Sequence, residues 1–128
     1  IDARAVLDRL GLDQDDLDGM VEIGLLATVT GDDGRALISD DDTWLLEHWA
    51  EVRRAGLTRE LGFTTRDLAP YEAAIASMLQ YETQMVASRA AHLPPERVAA
   101  MLERAMPLIH TFLARYHTAR ARDFFAML

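Results

Sequence analysis

Catalysis or metal binding in this chain would have to come from four histidines, three serines and a large stock of aspartates, because there is no cysteine. That absence removes disulfides, thiolate metal sites and sulfur redox chemistry. Ser39, Ser77 and Ser88 stand in no G-x-S-x-G elbow and have no histidine at a recognisable spacing, so nucleophilic catalysis has no sequence support. His110 and His117 are seven residues apart, which on a helix separates them by about 10.5 Å along the axis, too far for one ion. His48 and His92 have no ligand-type residue at a useful spacing. Asp32, Asp33, Asp40, Asp41 and Asp42 lack the glycine and closing glutamate of a calcium loop, and read as turn and cap residues. The expectation is no catalytic residue, no metal and no cofactor.

Charge says more. All 13 basic residues are arginine, and the formal net charge is −8. Residues 1–60 hold 15 acids against 6 Arg, a balance of −9, whereas residues 61–128 hold 6 acids against 7 Arg, a balance of +1. Since nucleic-acid affinity rests on Lys and Arg neutralising phosphates, the front half is not expected to grip DNA. No apolar run is long enough to span a bilayer, and no signal peptide opens the chain. A cytoplasmic location with no membrane partner is expected. The sequence begins on Ile1 rather than Met, so a further segment is expected upstream.

The elements that would carry these residues can be read from periodicity and caps. Ala3–Leu10 has Val6, Leu7 and Leu10 at helical spacing and stops at Gly11. Asp13 is a natural N-cap for a second helix presenting Leu17, Met20 and Val21 and ending at Gly24. Leu25–Thr30, the turn residues Gly31-Asp32-Asp33-Gly34 and Arg35–Ile38 predict a hairpin. Ser39 and Asp42 approximate a capping box for a third helix containing Trp44 and Trp49 and running to Gly56. The two tryptophans are five apart, so one is expected in the core and the other at a rim. After Thr64-Thr65-Arg66-Asp67, a fourth helix is predicted to about Ala91, with Pro70 in its first turn. Pro94-Pro95 starts a fifth, whose apolar stripe runs from Val98 to Tyr116, with Pro107 predicting a kink near Arg104–Met106.

Within residues 1–70, Glu22-Ile23-Gly24-Leu25-Leu26, then Gly34, Leu37 and Ser39-Asp40-Asp41-Asp42, then Val52-Arg53-Arg54-Ala55-Gly56 and Leu61-Gly62-Phe63-Thr64-Thr65-Arg66-Asp67-Leu68 follow one another in an order that resembles the N-terminal domain of the MerR family of transcriptional regulators. The resemblance implies a winged helix-turn-helix whose second helix reads DNA. The positions matching that family's basic and aromatic contacts are Asp15, Asp18, Gly19 and Met20, and the wing arginine falls at Ala36, with Arg35 one place earlier. Asp13, Asp15, Asp16 and Asp18 on that helix would meet phosphates with like charge. A degenerate second copy of the domain, downstream of a true DNA reader, accounts for both the likeness and the loss.

The expected fold is therefore all-α: a degenerate winged helix with a small two-strand wing over residues 1–63, then two long helices over 64–128 forming a dimer bundle. The expected role is dimerisation or effector sensing in a bacterial MerR-like regulator, with DNA bound only through a separate upstream domain and a contact to RNA polymerase open. The alternative is a stand-alone acidic interaction module. Ile75, Leu79, Leu102, Ile109 and Leu113 are the expected homodimer interface. Tyr71, Met78, Tyr81, Met85, Phe112 and Tyr116 could line a plastic pocket for an apolar or cationic effector, in competition with a plain core role.

Overall fold

The computed structural model describes all of residues 1–128. Helix α1, Ala3–Leu10, begins where the Asp2 side chain accepts the Arg4 N–H at 2.9 Å, and ends at Gly11, whose left-handed backbone (φ 69°) returns its N–H to the last turn. Helix α2, Gln14–Glu22, starts with a reciprocal capping box: Asp13 accepts the Asp16 N–H at 3.2 Å, and Asp16 accepts the Asp13 N–H at 3.0 Å. Strands β1 (Val29–Thr30) and β2 (Ala36–Leu37) pair antiparallel, with Val29 opposite Leu37. Each has two residues, so the predicted strands of six and four residues contract to a short hairpin. The segment before α1 lies beside it through an Asp2–Leu37 bridge and the Ile38 N–H to the Ile1 carbonyl at 2.9 Å.

The expected Ser39/Asp42 capping box does not form. Ser39 Oγ accepts the Asp41 N–H at 3.2 Å, and Asp40–Asp42 is one turn of 3-10 helix leading into α3, Thr43–Arg54. Thr64 and Asp67 do make a capping box, over the 3-10 turn Thr65–Leu68, and α4 follows at Ala69–Arg89. Helix α5 runs unbroken from Pro95 to Phe125, through Pro107.

Two units divide the chain, residues 1–79 and 80–128, with the boundary inside α4. The first owns the core: Val6 and Leu7 of α1, Leu17 and Met20 of α2, Leu26 and Ile38 around the hairpin, and Leu46, Trp49 and Ala50 of α3 are buried. Trp49 is the buried tryptophan and Trp44 is 54% exposed, edge-on to His48 with ring centres 5.7 Å apart. One close approach fixes how α2 meets the Thr65–Leu68 turn. Gly19 packs so tightly there that a Cβ on it would stand 1.9 Å from Thr65 Oγ1. Neither α4 nor α5 buries any residue completely. No helix is long and apolar enough to cross a membrane.

Candidate functional site

Asp16 is the chemically unusual residue. It sits at the third position of α2 because the capping box needs a carboxylate there, and that turn faces α3, so the side chain is only 4% exposed. A buried carboxylate must be paired. Asp16 Oδ1 accepts the Trp49 indole N–H at 3.0 Å and an Arg53 N–H at 2.8 Å, and Arg59 approaches at 3.5 Å. Arg53 lies over the Trp49 ring, 4.8 Å from its centre, and also donates to the carbonyls of Leu57 at 3.0 Å and Phe63 at 2.6 Å. One guanidinium thus ties α2, α3 and the loop after it.

The other acids of α2 are matched from the same loop and the next turn. Arg59 forks Asp13, one arm at 2.7 Å, and Arg66 bonds Glu22 at 2.6 Å and Asp15 at 3.1 Å. The Arg59 hydrogen bond is the main cause holding the Asp13 carboxyl below its ordinary value, and the same bond raises Arg59. Arg66 is likewise raised, by Glu22 first and then Asp15. Because folding depresses Asp13, its stabilisation is complete above the unfolded value near 3.8 and is lost only as pH falls through the lower folded value. The stability difference between the native chain and Asp13→Asn should therefore persist through pH 3.8 and close below it, read by urea titrations across pH. A gap already closed at neutral pH would contradict this.

This corrects the picture of four aspartates facing outward. Asp16 points into the core, and Asp13 and Asp15 are neutralised; Asp18, bonded by Gln14 at 3.0 Å, remains on the open face. That face consists of Gln14, Asp18, Val21 and Glu22, and with Leu17, Thr28 and Ala36 it lines a cleft of about 250 Å³ beside the hairpin. Gly19 and Met20 are buried. The sequence reading missed Arg53, Arg59 and Arg66 as partners. The available signal was that a carboxylate at a capping-box position next to apolar residues calls for a cation, with Arg53 six residues before the Arg59 that shares it.

The expected effector residues fall in both units. Tyr71 and Met78 belong to the first unit; Tyr81, Met85, Phe112 and Tyr116 belong to the second. Tyr71, Tyr81, Phe112 and Tyr116 are 54 to 61% exposed, whereas Met78 and Met85 are half-buried. Phe112 and Tyr116 stack, with ring centres 5.6 Å apart and planes 6° from parallel. Of the expected interface, Ile75 and Leu79 are about 60% exposed, Leu102 and Ile109 are 36% exposed, and Leu113 is half-buried. No three His, Asp or Glu side chains converge as a metal cluster. Ser39 Oγ accepts a backbone N–H and Ser88 Oγ donates to the Met85 carbonyl at 3.2 Å.

Comparison with protein-family models, with curated proteins and with solved structures finds no match.

Proposed function

We propose that the chain is the dimerisation module of a MerR-like transcriptional regulator, built on a degenerate winged helix, with DNA read by a separate domain. One observation carries the dimer: α4 leaves Tyr71, Ile75 and Leu79, four residues apart on one helix face, more than half exposed and buries nothing completely. Large apolar side chains left exposed in a row along one helix fit an interaction face. The order helix, helix, hairpin, helix in residues 1–54 supports the winged-helix reading. Against DNA contact stands the open face of α2, where Gln14, Asp18, Val21 and Glu22 include no cation and the nearest arginines are spent on carboxylates. Effector sensing has less behind it, only the stacked Phe112–Tyr116 pair.

Sedimentation at micromolar concentration is expected to give a dimer, and Ile75→Asp is expected to shift it to monomer because a charge in an apolar seam is costly. The same samples should show no saturable, sequence-dependent DNA binding even at low salt, where phosphate attraction is greatest. A 14.3 kDa monomer would remove the dimerisation role, and specific DNA binding would remove the separate reader.

A further inference from the structure

Helix α5 has an ionic edge that nothing in the chain uses. Arg97 and Arg115 are eighteen residues apart, as are Arg104 and Arg122, and eighteen residues make five whole turns. Arg97 and Arg104 are seven apart, so all four side chains leave the unbroken helix along one line. All four are exposed, and none has a carboxylate within ion-pair reach, although Arg53, Arg59 and Arg66 of the first unit are all engaged. Bordering that line is an exposed apolar row, Met101 (47%), Leu108 (72%) and Phe112 (61%). Val98, Ala105, Tyr116 and Asp123 lie on the row's other flank, the half-buried Met106 and Leu113 lie opposite the arginines, and Glu96 and Glu103 lie on the back.

We infer that this edge of α5 docks an acidic amphipathic helix of another protein, whose apolar stripe covers Met101, Leu108 and Phe112 while its carboxylates meet Arg97, Arg104, Arg115 and Arg122. Charge complementarity selects that occupant. A second α5 packed antiparallel on this row sets each flank against its own equivalent, so arginine would oppose arginine, and a parallel one sets arginine mainly against Val98, Ala105 and Tyr116. Neither arrangement supplies a row of acids, because Glu96 and Glu103 face away and Asp123 is the single carboxylate beside the apolar row. A helix with acids at heptad spacing repeats every ~10.5 Å, the rise within each arginine pair, and one four-residue insertion in that repeat matches the ~16.5 Å from Arg104 to Arg115. A phosphate backbone would leave the apolar row uncovered. This surface is distinct from the Ile75–Leu79 face of the proposed dimer and does not depend on it.

The test is fluorescence anisotropy on the full chain with two labelled synthetic helices sharing one leucine stripe, one flanked by glutamate and the other by arginine. The acidic peptide is expected to bind, and to weaken several-fold as salt rises from about 50 to about 300 mM. Arg104→Glu/Arg115→Glu, with its helical circular dichroism retained, is expected to lose about tenfold or more for the acidic peptide and to gain binding of the basic one. Reversal of preference is a readout that simple unfolding does not produce. Equal binding of both peptides, no binding of the acidic one, or tighter capture by phosphatidylglycerol vesicles would each overturn the assignment.

Discussion

Replacing Asp16 by alanine should cost the protein about 3–5 kcal/mol of unfolding free energy, the range for breaking a buried ion pair by removing one partner. The reason is what is left behind. The Trp49 indole N–H loses its acceptor at 3.0 Å, and the Arg53 guanidinium, 15% exposed, loses its carboxylate at 2.8 Å. The α2 capping box also opens, because Asp16 accepts the Asp13 N–H. Arg53 keeps its bonds to the Leu57 and Phe63 carbonyls, which places the expected loss toward the lower end of the range. Asp18→Ala, on the open face of the same helix, should change stability by less than about 0.5 kcal/mol. Urea unfolding of both variants, at one fixed protein concentration because assembly shifts apparent stability, makes the comparison. Equal effects of the two substitutions would show that Asp16 is not the tie between α2 and α3.

Gly19→Ala is expected to destabilise despite improving helix propensity. Alanine gains about 1 kcal/mol over glycine in a helix interior. Against this, its Cβ would stand 1.9 Å from Thr65 Oγ1, and Thr65 is fully buried with no space to turn. Overpacking of this kind costs about 1–3 kcal/mol or more, so the net result is a loss of about 1–2 kcal/mol. Thr65 Oγ1 also has no hydrogen-bond partner, so the hydroxyl itself contributes little that its removal would forfeit. Removing it in Gly19→Ala/Thr65→Ala leaves the new methyl 3.2 Å from the residue 65 Cβ, tight but without the severe overlap. The double variant should be more stable than the sum of the two single changes predicts, by about 1 kcal/mol. Additive effects would mean that the two positions do not touch.

The local elements were legible because their causes are local. Asp2 and Asp13 cap helices, Gly11 and Gly24 end them, and Pro95 opens α5, all through bonds or backbone freedom spanning a few residues. The hairpin turn was visible in Gly31-Asp32-Asp33-Gly34, but strand length was not, since pairing depends on which residues find partners rather than on β-branching. The Ser39 turn was misread for a related reason: a hydroxyl reaches either of two N–H groups, and the following backbone decides which.

Composition and periodicity alone determined the helical architecture, the acidic front half, and the apolar stripes of α4 and α5. The tertiary structure decided the meaning of those charges. Asp16 reads as one of four similar aspartates in the sequence, and only the packing of α2 on α3 turns it inward onto Trp49 and Arg53. Arg59 and Arg66 lie 46 and 51 residues from Asp13 and Asp15, the partners they neutralise, beyond any spacing rule. Arg97, Arg104, Arg115 and Arg122 look no different from them in sequence, yet no element of the fold brings an acid to that side of α5. An ion pair is a property of two positions in space, so the sequence carries the charges and the fold alone assigns which are satisfied.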